Sequence, residues 1–151
     1  RGLCQANGFL KDGFEICGEA AHIRDVIVPV CAIACETDHI APWKASFAGF
    51  QQMGSKDKNF ILSESGHIAG IVNPPSKNKY GHWTNPEYDL SAEDWQATGD
   101  KHEGSWWPRW EKWLDKKSGE MVSAREPGDA KHPSLAPAPG TYVTAIPAKS
   151  E

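Results

Sequence analysis

The sequence predicts an α/β fold built on a βαβ unit, and three stretches carry that prediction. Val26-Ile27-Val28-Pro29-Val30-Cys31-Ala32-Ile33-Ala34 is β-branched and apolar on both alternating sets of positions. That pattern marks a strand buried on both faces, as in a parallel sheet. Residues 42–54 place Trp43, Phe47, Phe50 and Met53 at steps of four, three and three, which is one apolar helix face. Residues 59–63 read as a second short strand. Strand, helix and strand in about 40 residues make the two strands parallel, with their C-terminal ends on the same edge of the sheet.

The elements follow in order. Pro29 cannot donate to a ladder, so it belongs at the strand's start or at an edge. Pro42 suits the first helical turn, and Gly54 suits the C-terminal cap. A polar turn, 55–58, leads to the second strand, which runs into the loop Glu64-Ser65-Gly66-His67. Residues 73–90 read as loop, and a short helix is expected near 91–99. Residues 104–119 form a capped helix, with Ser105 as N-cap, Pro108 in the first turn and Gly119 past the end. Trp106, Trp110 and Trp113 share its apolar face. That face reads as packing surface in preference to a binding surface, because a one-sided apolar helix is usually core. From Glu126 onward, five prolines in 26 residues give an extended tail. The expected organisation is therefore a folded α/β portion, 1–125, followed by a Pro/Ala-rich tail, 126–151.

Composition excludes some function classes. With 16 Lys and Arg against 20 Asp and Glu, the net charge of −4 argues against nucleic-acid binding, which needs a basic face. No apolar run approaches the roughly 20 residues that span a bilayer. The four cysteines all lie in the first 35 residues and no C-x-x-C occurs. Cys31 and Cys35 would stand ~13 Å apart along a strand, too far for one disulfide or one zinc ion. Reduced thiols in a cytosolic protein are expected, with neither metal nor cofactor. Cys4 sits in Gly2-Leu3-Cys4-Gln5-Ala6, superficially a nucleophile elbow, but no strand precedes it and no helix follows. Residue 1 is Arg, which suggests the C-terminal part of a longer chain.

The βαβ geometry brings Asp38, at the end of the first strand, near His67, in the loop after the second. Together they form the acid and base half of a nucleophile–acid–histidine triad. A carboxylate bonded to Nδ1 fixes the imidazole tautomer and stabilises the imidazolium that forms. The alternative leaves Asp38 capping the helix near Pro42 and His67 as an ordinary loop residue.

Four motifs add a resemblance. Glu36-Thr37-Asp38-His39-Ile40-Ala41-Pro42-Trp43, Ser65-Gly66-His67-Ile68-Ala69-Gly70-Ile71-Val72-Asn73-Pro74-Pro75, Gly104-Ser105-Trp106-Trp107-Pro108 and Ala136-Pro137-Ala138-Pro139-Gly140-Thr141-Tyr142-Val143 occur in that order. Together they resemble the C-terminal region of class I poly(3-hydroxyalkanoate) synthases. The resemblance implies the C-terminal part of an α/β-hydrolase fold, with a βαβ unit of a mostly parallel sheet, a Trp-rich helical extension and a Pro-rich tail. It implies an acyltransferase in which a cysteine thiolate takes an (R)-3-hydroxyacyl group from CoA, and the next monomer's hydroxyl attacks that thioester. His67 then corresponds to the general base and Asp38 to its carboxylate, while His39 and Trp43 are candidates for the substrate pocket. The implied partners are the acyl-CoA, the polymer or granule surface, and a second copy in a homodimer. The implied location is the cytoplasm, at polymer granules.

The family's G-x-C-x-G elbow has no counterpart in these residues. The chain by itself is therefore expected to be inactive, since acid–base groups cannot replace a covalent nucleophile. Two other readings stay open: an intracellular polyester depolymerase or other α/β hydrolase, and a noncatalytic granule-binding module. Because the pattern shows only two strands, apolar surface is expected to remain wet and the isolated chain to aggregate.

Overall fold

The computed structural model describes residues 9, 10 and 13–145, so the Cys4 segment lies outside the described residues. The chain divides after Ser118 into two compact units, ahead of the composition change at Glu126.

The first unit is mixed α/β. Strands β1 (Phe14–Ile16) and β2 (Glu19–Ala21) form a small antiparallel hairpin. Its turn is Cys17-Gly18, both at positive φ, the twist a two-residue hairpin turn requires. The second sheet has the order β3-β4-β5-β6. Here β3 (Val30–Cys35) and β4 (Lys58–Ser63) are parallel, joined through α1 (Trp43–Gln52). Strands β5 (His82–Thr84) and β6 (Asp100–His102) then add antiparallel. Two further helices are α2 (Ala92–Ala97), capped by the Ser91 side chain, and α3 (Trp107–Asp115).

Several expectations are corrected. Among the described residues this sheet is mixed, with one parallel pairing and two antiparallel ones. Ile27 and Val28 are exposed ahead of β3, which begins only after Pro29. The strand buried on both sides is β4, where Phe60, Ile61, Leu62 and Ser63 are sealed. The reason is position: β4 sits between β3 and β5, whereas β3 ends the described sheet. Gly54 is not a left-handed cap, since α1 ends at Met53 in an extended conformation. A Cβ at Gly54 would instead lie 2.1 Å from the Arg24 carbonyl oxygen, so close backbone approach is what requires glycine there.

The core is aromatic. Trp43, Phe47 and Phe50 from α1 pack with Phe60 and Leu62 of β4 and Trp95 of α2. Trp95 is fully buried, edge-on to Phe60 at 5.3 Å, and its Nε1 donates to the Asn85 carbonyl at 3.0 Å. Of the tryptophan face expected on α3, Trp106 is the N-cap residue and buried, Trp113 is half-buried and Trp110 is exposed. Ser105 still serves the helix start, accepting from the Trp107 amide at 3.1 Å.

In the second unit the described residues run almost wholly exposed. The regular structure there is the Gly128–Pro133 bridge and one 3-10 turn, Tyr142–Thr144. The Asp129 carboxylate organises the turn inside that bridge, accepting from the Lys131 and His132 amides at 2.8 and 2.7 Å.

Candidate active site at the ends of two parallel strands

The pairing of β3 with β4 runs on past the strands themselves. The Glu36 amide donates to Ser63 O at 2.8 Å and the Thr37 amide to Ser65 O at 3.1 Å. The chain then turns at Asp38, whose Oδ1 accepts from the amides of Ile40 at 2.8 Å and Ala41 at 3.0 Å. A short acidic side chain bonding the backbone two and three residues on makes a rigid turn ahead of α1. Asp38 thus caps this turn and not the helix, whose N-cap position is Pro42.

On the second strand, Glu64 holds the loop down. Its carboxylate accepts from the Gly81 amide at 2.6 Å and pairs with Lys101 at 2.7 Å. Ser65 takes φ +71°, a left-handed backbone that costs a non-glycine residue about 1–2 kcal/mol. Its carbonyl is held by Thr37, as above. The chain then closes a helical turn over His67, with the Gly70 amide donating to Gly66 O at 2.8 Å.

These two turns bring the predicted pair together: His67 Nδ1 lies 3.2 Å from Asp38 Oδ1. The ring is 35% exposed and the carboxylate 10%. The Ala41 and Ile40 amides, with a smaller contribution from His67, hold the Asp38 carboxyl below its ordinary 3.8 although partial desolvation opposes them. An ionised carboxylate only accepts, so the proton between the two groups sits on Nδ1. In the neutral ring Nε2 then carries the lone pair. Among the described residues Asp38 is the one side chain bonded to His67. Such an arrangement is able to act as a general base toward a group brought to the ring's open side.

The other candidates fall on different sides of that edge. His39 is exposed, with its ring centroid 5.4 Å from that of His67. Trp43 is turned away into the core at 6% exposure, tilted against Trp95 at 6.4 Å. Among the described residues the Cys35 thiol is buried at the end of β3 and pushed up to about 11, chiefly by burial and then by the charge of Asp38. The Cys31 thiol is raised by burial as well. Both resist forming the thiolate a nucleophile needs. Cys17 lies in the hairpin turn. Among the described residues no group of three or more His, Cys, Asp or Glu side chains is placed to hold a metal, and no helix is long and apolar enough to cross a membrane.

Sequence reasoning missed the contacts behind His67. The Gly70 carbonyl accepts from Trp106 Nε1 at 2.8 Å and from Ser63 Oγ at 2.9 Å, and the Ile71 carbonyl accepts from Trp107 Nε1 at 2.9 Å. The Gly104-Ser105-Trp106-Trp107-Pro108 motif was visible, but its length and spacing speak only of a helix start.

No family model matches the chain. Among curated proteins it is 46% identical over 142 residues to the poly(3-hydroxyalkanoate) polymerase of Methylorubrum extorquens, covering 93% of this chain and 23% of that relative. It is 40% identical over 131 residues to the poly(3-hydroxyalkanoate) polymerase subunit PhaC of Cupriavidus necator, covering 86% and 22%. Poly(3-hydroxyalkanoate) polymerase 2 of Ectopseudomonas oleovorans is 39% identical over 132 residues, covering 87% and 23%. The chain thus spans less than a quarter of the length of these relatives.

Proposed function

We propose that this chain, a segment belonging to the poly(3-hydroxyalkanoate) polymerase family, supplies the general base and its orienting carboxylate to a polymerase that builds polyester from (R)-3-hydroxyacyl-CoA. The observation that supports it is the 3.2 Å contact of His67 Nδ1 with Asp38 Oδ1 at the ends of parallel strands. On this reading the βαβ unit belongs to the mostly parallel sheet of an α/β-hydrolase-type domain. The nucleophilic cysteine comes from outside the described residues.

The chemistry then runs in two stages. His67 Nε2 takes the thiol proton, the thiolate attacks the acyl-CoA carbonyl, and CoA leaves with a proton returned by the imidazolium. In the second stage His67 Nε2 takes the proton of the 3-hydroxyl of an incoming acyl-CoA, whose oxygen attacks the enzyme-bound thioester; the cysteine leaves as thiolate and recovers the proton from the imidazolium, and the chain, one ester longer, ends on that monomer's CoA. Asp38 stays ionised throughout and stabilises the imidazolium at each stage. His39, exposed beside His67, lines the approach for the acyl group. The complete protein acts at polymer granules in the cytoplasm and as a homodimer.

The test uses the complete polymerase. His67→Gln lowers polymer synthesis by about a thousandfold and Asp38→Asn by roughly a hundredfold or more. Either variant retaining wild-type synthesis refutes the reading and leaves a binding role. Release of free 3-hydroxy acid in place of polymer by the wild-type protein would favour a hydrolase.

A further inference from the structure

The turn that carries His67 is gripped from behind at successive carbonyls. In an isolated helical turn the last carbonyl groups point away from the chain and lack partners. Here the Gly70 and Ile71 carbonyls are those groups, and the two indole N–H donors from Trp106 and Trp107 reach them across 36 positions of sequence. Ser63 Oγ, from the end of β4, gives Gly70 O a second donor. The opposite side of Gly70 is closed too. A Cβ there would lie 2.5 Å from Glu64 O, 2.8 Å from Cys35 Sγ and 2.9 Å from Gly66 O.

The turn therefore has no room to slide toward β3 and is held against sliding away. Gly70 and His67 belong to the same turn, closed by the Gly70-to-Gly66 bond. A shift of that turn moves the imidazole relative to Asp38, whose own position is fixed independently by the Ile40 and Ala41 amides. Trp106 is buried at 8% exposure and edge-on to Trp107, with ring centroids 6.3 Å apart, so the donors are themselves rigid. A Phe at either position keeps an aromatic ring there but leaves part of the indole's volume unfilled. The N–H is what a phenyl ring lacks.

We infer that Trp106 and Trp107 are positioning residues: their indole N–H groups set the His67 turn in register with Asp38. The inference rests on the reading of His67 as the base. It is tested in the complete polymerase with Trp106→Phe, Trp107→Phe and the double variant, each keeping a ring and losing a donor.

The double variant is expected to lose kcat by about a hundredfold, the scale of a misplaced catalytic group, with KM for acyl-CoA within about twofold. The loss is expected to act through the His67–Asp38 pair. In an Asp38→Asn background, where that pair is already broken, the same double substitution should cost no more than about threefold. Wild-type kcat in the double variant overturns the inference, as does an equal fold-loss in both backgrounds, which would mark general destabilisation. If the double variant unfolds, the single variants are measured at temperatures where their circular dichroism matches wild type, with the same two criteria. His67→Gln in parallel separates the two claims. An inactive His67→Gln with an unaffected double variant overturns only the positioning role, whereas an active His67→Gln overturns the function reading itself.

Discussion

Among the described residues, the pair His67–Asp38 and the pair His82–His102 differ sharply in their surroundings. At the sheet edge His67 has a carboxylate on one nitrogen, a third of its ring exposed and Nε2 left without a partner among the described residues. On β5 and β6, His82 and His102 stack at 5.0 Å, and their hydrogen bonds go into structure. His82 Nδ1 donates to the Gly104 carbonyl at 3.1 Å in a buried site. His102 Nε2 accepts from Arg109 Nη2 at 3.0 Å and meets Thr84 Oγ1 at 2.9 Å. Burial first, then the neighbouring positive charge of Arg109, pulls the His102 pKa down; burial also lowers that of His82. At His67 the carboxylate fixes the ring's orientation and leaves Nε2 facing outward. A neutral stacked pair must not gain a proton, and its surroundings oppose it.

The sharpest way to break this contrast is to make the same substitution in both places. On the proposed reading, His67→Gln in the complete protein is expected to lose about a thousandfold in rate, while His82→Gln stays within about threefold. In thermal melts the order reverses. His82→Gln disturbs a buried bond and costs about 1–3 kcal/mol, whereas His67→Gln, at a partly exposed site, costs under about 1 kcal/mol. Equal rate losses at the two positions would show that the stacked pair takes part in the chemistry.

The two regions also differ in how openly the sequence declares them. In the β3–α1–β4 unit, apolar runs and the Trp43, Phe47, Phe50 spacing are enforced by burial, so pattern and structure coincide. From there, topology alone sufficed to bring Asp38 to His67. Strands β5, with His82-Trp83-Thr84, and β6, with Asp100-Lys101-His102, are three residues each and largely polar. They exist because β4 offers a free ladder and β5 extends it, a tertiary cause that residue pattern does not encode. The overreach at Ile27 and Val28 has the converse cause, since apolar residues can lie exposed where no neighbouring strand or helix covers them. The indole bonds behind His67 join segments 36 positions apart and leave no periodic trace. The residue pattern shows two strands of this sheet where four form it, while Ile27, Val28, Ile40, Ile68 and Val72 remain exposed.

Acid should tell the two pairs apart by stability. His82 and His102 have folded pKa values below the ordinary 6.5, so the folded state binds fewer protons than the unfolded one just under that pH. Their stabilising contribution is complete above 6.5 and is lost as pH falls from there toward their folded values. Asp38 behaves differently: its depressed pKa gives stability that is kept through this whole range and lost only below 3.8, as pH falls through the folded value. Melting temperature is therefore expected to drop between pH 7 and pH 5, with the drop reduced in His82→Gln and unchanged in Asp38→Asn. A drop that follows Asp38 would reverse the assignment.

The smallest effect isolates the charge that keeps His102 neutral. Arg109→Gln removes one hydrogen bond to His102 Nε2, a loss of about 1 kcal/mol at pH 7. It also removes the second cause of the lowered His102 pKa and leaves the first, burial, in place. The folded pKa then moves back toward 6.5 without reaching it. By the same linkage the folded and unfolded states now differ less in bound protons, so the fall in melting temperature between pH 7 and pH 5 becomes shallower in the variant than in the parent. The variant is thus less stable at neutral pH yet less sensitive to acid. A steeper fall would mean that Arg109 acts on His102 through packing, its guanidinium charge being immaterial to the proton.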